Sequence, residues 1–132
     1  MIWEIISSVA AAFSVIIAVV TYWVDRKNKI KAETIKAVDH ILDSYYEYAK
    51  GKDSTQDYND YVRFLSIVER FATDANEGVL SKKTIGNRLS LFLVKEYNEK
   101  MKEIIIQRRN QFSRNSYYGQ IEKLIQYLES HN

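Results

Sequence analysis

Residues 5 to 24 read IISSVAAAFSVIIAVVTYWV, twenty residues without a charge, a proline or a glycine. An α-helix needs about 20 apolar residues to cross a hydrocarbon core of about 30 Å. Trp3 precedes the stretch and Tyr22 and Trp23 close it, where amphipathic rings favour the membrane interfaces. The stretch therefore reads as a transmembrane helix. A secretory signal peptide would begin with basic residues, carry a shorter apolar core and end in small residues. Here residues 1 to 4 hold no Lys or Arg and the span runs out into TYWVDRK, so an uncleaved anchor over 1–24 is expected. Arg26, Lys27, Lys29, Lys31 and Lys36 follow the span, and no basic side chain precedes it. The positive-inside rule then predicts Met1 outside a bacterial inner (cytoplasmic) membrane and residues 25–132 in the cytoplasm. Arg26, Lys27, Lys29 and Lys31 are the expected contacts for anionic lipid headgroups.

The span itself is patterned. Glu4, Ser7, Ala11, Ser14, Ala18, Thr21 and Asp25 recur at steps of three and four residues, which puts small, polar or acidic side chains on one helical face and Val and Ile on the other. Small residues allow close approach of membrane helices, so this face predicts a dry helix–helix seam in a homo-oligomer. A water-lined pore is the competing reading, with Glu4 and Asp25 as acidic rings at its mouths.

About a hundred residues remain for a single small domain, near the size at which one core is only marginally stabilising. The chain has no Cys and no Pro and four Gly, a composition that rules out a disulfide framework and favours helices over a turn-rich sheet. No Gly or Pro interrupts residues 1 to 50, so the span is expected to continue as a stalk with Ile30, Thr34, Val38, Ile41 and Tyr45 on one face. GKDSTQD is the expected loop, followed by a helix from about Asp57 to Asn76 and a left-handed cap at Asn76-Glu77-Gly78. Ser81 is the expected N-cap of the next element. Gly86 predicts a short turn there, then a long helix from about Asn87 to Arg109, broken by NQFSRNS, and a last helix from about Tyr117 to Glu129. The fold class expected is all-α, one N-terminal transmembrane helix continuing into a small cytoplasmic helical bundle.

Residues 39–77 carry nine acidic and four basic side chains, and residues 82–123 ten basic and four acidic. An acidic helix pair packed on a basic helix accounts for this asymmetry. Arg88, Arg108, Arg109 and Arg114 beside Tyr117 and Tyr118 could serve nucleic acid, but the near-neutral domain disfavours it and leaves room for a small anionic ligand. Catalytic constellations fail by count: the chain has two His and no Cys, and no Gly-rich phosphate loop. No enzyme activity, cofactor or metal site is expected; Asp39, His40 and Asp43 read as a solvated face. Glu69-Arg70, set inside FLSIVERFA, predicts a buried ion pair with a neighbouring helix or a ligand contact, with Arg108 and Arg109 as partners.

RFLSIVERFATDANEGVLSKKTI, the later IIIQRRNQ and the final YYGQIEKLIQYL together resemble an uncharacterised family of short bacterial membrane-anchored helical proteins. Glu69, Gly78 and Arg108 or Arg109 stand where that family has a Glu, a Gly and an Arg; Ser81-Lys82-Lys83 is basic where the family is often acidic. The resemblance implies a prophage or defence setting. A weaker likeness is to the small membrane accessory proteins of type VI-B CRISPR systems, which share the plan and are associated with oligomeric pores. Some of those carry an Arg-to-His ribonuclease motif, and Arg108, Arg109 and Arg114 are followed by no suitably spaced His. The function expected is an oligomeric single-span membrane effector that alters permeability. The alternative is an anchor or sensor whose cytoplasmic domain binds a protein partner or a small anionic ligand.

Overall fold

The computed structural model describes residues 2–50 and 57–131. It is all-α: α1 (Ile2–Lys50), α2 (Asp57–Asn76), α3 (Lys82–Glu96), a π-helical turn (Tyr97–Met101), α4 (Lys102–Phe112) and α5 (Gly119–Ser130). The expected loop over GKDSTQD falls at residues 51–57, of which 51–56 lie outside the described residues.

α1 is one uninterrupted helix of 49 residues, which at 1.5 Å per residue spans about 74 Å. Its N-terminal part is long and apolar enough to cross a membrane, and 0% of its most apolar window is buried inside the fold. A core helix would have buried that window against its own domain. The other end does so: Thr34, Val38, Ile41 and Tyr48 are buried, with Tyr45 packed beside them, as the stalk periodicity predicts.

The bundle forms around that end of α1. α2 runs back towards the span: Tyr61 near its start meets Tyr48 with ring centroids 5.1 Å apart, and its last turn leads to Gly78 and Val79 beside Tyr22 and Asp25. Gly78 sits at φ 83, and the Gly78 and Val79 amides donate to Ala75 O (3.2 Å) and Asp74 O (2.9 Å). That pair of bonds satisfies the last carbonyls of α2 and turns the chain, as the cap reading expects. α3 then starts at the span side. Ser81 caps it, accepting from Thr84 N at 3.3 Å, and the Ser81 amide donates to Thr34 Oγ1 at 2.8 Å. Thr34 in turn donates to Ile30 O at 2.7 Å, which ties the start of α3 to the stalk. Further along, Phe92 packs edge-on against Tyr45 at 4.9 Å, so α3 ascends beside α1. α5 closes the core between α2 and α3 with Ile121, Leu124, Ile125 and Leu128.

Three sequence expectations are corrected. Gly86 does not interrupt a helix: α3 begins at Lys82 and runs through it, because Ile85 and Leu89 on either side are fully buried and hold the backbone helical. The helix expected over Asn87–Arg109 is not uniform either. Buried Leu89 and Leu93 give way to Met101, Ile104 and Ile105, a step of eight residues where an α-helix repeats its face in about seven. The π turn absorbs the extra residue. Finally, NQFSRNS is helical to Phe112 and stops where Ser113 turns left-handed at φ 53, and α5 starts at Gly119 because Tyr118 is also left-handed, at φ 62.

Candidate functional site at the open face of α1 and the end of the span

Five helical turns take about 18 residues, so positions about 18 apart share one side of α1. The buried residues Thr34, Val38 and Ile41 therefore stand above Ile16, Val20 and Trp23 on the Val and Ile side of the span, and buried Tyr48 stands above Ile30 in the stalk. Above Ala11, Ser14, Ala18, Thr21 and Asp25 stand Lys29, Ala32, Lys36, Asp39 and Asp43, every one of them exposed. Glu4 and Ser7 lie on that same open side and are exposed too. Among the described residues the bundle thus covers one side of α1 and leaves the small-residue side exposed, with Asp25 and Lys29 at the edge that faces the α2–α3 turn. Along the span, the Ser14 hydroxyl donates to Ala10 O at 3.0 Å and Ser8 to Glu4 O at 2.9 Å, so these hydroxyls are satisfied by their own helix. Asp39 and Asp43 are exposed on this side, His40 is exposed at the edge of a cleft with α2, and among the described residues no three His, Cys, Asp or Glu side chains gather as a metal site.

Where the span ends, two clefts flank α1. One, of about 890 Å3, lies between α1 and the first turn of α3 and is lined by Tyr22, Trp23, Val24, Arg26, Lys27, Ile30, Lys31, Ser81, Lys83, Thr84 and Asn87. The other, of about 620 Å3, lies against the α2–α3 turn, and its charged lining is Asp25, Arg26, Lys29, Glu33 and Glu77. Arg26, Lys27, Lys29 and Lys31 are all exposed, and the fold brings Lys83 to three of them, Arg26, Lys27 and Lys31. Sequence reading had no means to place Lys83 there, since the packing of α3 on Thr34 sets it.

The Glu69 reading is corrected. Glu69 is half-buried and, among the described residues, pairs with no cation; its two carboxylate oxygens accept from the backbone amides of Gln120 (3.1 Å) and Ile121 (3.0 Å). Tyr118, the N-cap of α5, supplies no side-chain cap, and a helix start carries orphan N–H groups that a carboxylate satisfies well. Gly119 N donates to Ser116 O and Glu122 N to Tyr118 O, which completes the first turn. Asn76 adds bonds to Gln120 O and Oε1 at 3.0 and 2.9 Å. Arg109 braces the same corner from α4, donating to Tyr117 O at 2.8 Å and pairing with Glu122. Arg108 stacks over Phe112 at 5.0 Å and meets the Tyr58 and Tyr118 hydroxyls. Arg70 is exposed and lines a small cleft between α1 and α2. Arg114 lies 5.5 Å over Tyr117.

One polar cluster within the core had no clear sequence signal. Buried Glu96 accepts from the Tyr61 hydroxyl at 2.9 Å, and Lys100, on the π turn, lies 4.7 and 4.6 Å over the rings of Tyr48 and Tyr61 and donates to the Tyr48 hydroxyl. Burial, and then the Glu96 carboxylate, push the Tyr61 phenol well above the usual tyrosine range and the Tyr45 phenol upward as well. A fully bonded polar cluster of this kind fixes how α1, α2 and α3 register against one another. No protein-family model, curated protein or solved structure matches the chain.

Proposed function

We propose that this chain is an oligomeric single-span membrane effector. In this reading α1 crosses the cytoplasmic membrane of a bacterium with Met1 outside and the bundle inside, and copies associate through the Glu4–Asp25 face. The assembly alters membrane permeability when its bundle is engaged. One observation carries the reading: the bundle packs on the side of α1 opposite the small-residue face. Copies can therefore bring their α1 helices together while every bundle stays on the outside. Because α1 is continuous from Ile2 to Lys50, a rotation of the bundle reaches the span without a hinge. The inward-bonded Ser14 hydroxyl favours a dry, closed seam at rest, and Glu4 and Asp25 at its two mouths favour cations once water enters.

The test is current through bilayers holding the full chain, read beside subunit number. Asp25→Asn is expected to reduce cation selectivity while leaving subunit number unchanged. Oligomers that carry no current, whatever engages the bundle, would remove the permeability reading. The alternative, an anchor whose domain receives a protein partner or small anionic ligand, is favoured by the basic cleft beside α3.

A further inference from the structure

The two clefts at the end of the span differ in charge. The one between α1 and α3 is lined by Arg26, Lys27, Lys31 and Lys83 and, among the described residues, by no carboxylate, whereas Asp25, Glu33 and Glu77 line its neighbour. Its floor is mixed in a telling way: Trp23 and Val24 supply apolar surface, and Asn87 and the first turn of α3 supply polar groups. In that first turn the Thr84 amide is taken by Ser81, and the helix dipole adds positive potential at the same place. At about 890 Å3 the cleft exceeds what a bare phosphate needs and suits a headgroup with the upper part of its acyl chains. Trp23 and Tyr22 are 72% and 61% exposed, as rings at a membrane interface are expected to be. Val79, in the turn that reaches the same end of the bundle, is 51% exposed.

We propose that this cleft binds the phosphate headgroup of an anionic phospholipid. The proposal rests on α1 crossing a bilayer, which sets the cleft at headgroup depth. The phosphate sits among Lys27, Lys31 and Lys83 at the start of α3, and the glycerol and upper acyl chain lie along Trp23. Bound there, one lipid bridges α1 and α3 and holds the bundle upright on the membrane surface.

The experiment uses the full chain in neutral detergent, with phosphatidylglycerol or phosphatidylcholine added and retained lipid counted by native mass spectrometry. Wild type is expected to retain phosphatidylglycerol over phosphatidylcholine. Each of Lys27→Gln and Lys83→Gln is expected to weaken that retention about fivefold, and Lys95→Gln, on an exposed position of α3 that does not line the cleft, to leave it unchanged. Equal losses from Lys95→Gln, or no preference for phosphatidylglycerol, would overturn the proposal. Soluble glycerol 1-phosphate at millimolar concentration is expected not to compete; full competition would make the ligand a free phosphate ester and overturn the lipid assignment. Alkaline carbonate extraction of cell membranes separates the two levels of failure. A chain that stays in the membrane without the lipid preference refutes the cleft alone, and a chain that washes off refutes the span and the cleft together.

Discussion

Replacing Glu69 tests how the bundle is closed. Its two carboxylate oxygens hold the Gln120 and Ile121 amides at 3.1 and 3.0 Å, and the residue is half-buried, so part of the interaction is screened by solvent. A lost helix cap costs about 0.5–2 kcal/mol, and two charge-assisted bonds shared by one carboxylate put Glu69→Ala near the top of that range, about 2 kcal/mol. For a domain of this size each kcal/mol moves Tm by about 4–8 °C, which gives a drop of about 8–16 °C. Glu69→Gln keeps one acceptor oxygen but replaces the other with an amide NH2 that cannot accept from the second N–H, so about half the loss is expected. The assay is thermal unfolding in detergent followed by the near-ultraviolet circular dichroism of the tyrosine-rich core, with amide exchange at Gln120 and Ile121 as a local probe. An unchanged Tm in Glu69→Ala would refute the capping role. A loss as large in Glu69→Gln as in Glu69→Ala would instead point to a requirement for the charge itself.

Two glycines should respond in opposite directions. Gly78→Ala is expected to destabilise by about 1–2 kcal/mol, because the site holds φ +83 with open space around it and the cost is backbone strain alone. Gly86→Ala is expected to stabilise by about 0.5–1 kcal/mol, since the new Cβ meets Leu128 at an ordinary 3.8 Å and a helix interior prefers Ala; urea midpoints measure both. The raised phenols of Tyr45 and Tyr61 predict stability that is full below the ordinary tyrosine value of 10.0 and falls as pH rises beyond it, because the unfolded chain then releases protons that the fold retains. Tyr61→Phe should flatten that alkaline decline in a pH series of Tm values while lowering Tm at neutral pH, where Glu96 loses a bond.

What could be read from the sequence is what local chemistry controls. The end of α2 at the Gly78 cap and the Ser81 cap of α3 follow from residues that act within a turn of themselves, and the stalk face Thr34, Val38, Ile41 follows from helical period. The misreadings occur where a distant residue decides. Gly86 is helical because its neighbours are buried by the bundle. The step from Leu93 to Met101 is legible as a slipped period only once both are known to face one core. Glu69 looked like half of an ion pair because its true partners are backbone amides about fifty residues away, exposed by an αL turn at Tyr118, a residue that rarely adopts that conformation. Lys83 joins the juxtamembrane cations only through the Thr34–Ser81 tie.

The orientation of α1 in the assembly is tested most directly by cross-linking in native membranes, which the absence of Cys from the chain makes clean. Single Ala18→Cys and Ala32→Cys variants, on the open side of the span and of the stalk, should form disulfide-linked dimers rapidly under mild oxidation. Val20→Cys, on the side of the span that continues into the bundle-covered face, should not. Cross-linking at Val20 in place of Ala18, or at neither, would contradict an oligomer built on the face of α1 that the bundle leaves open.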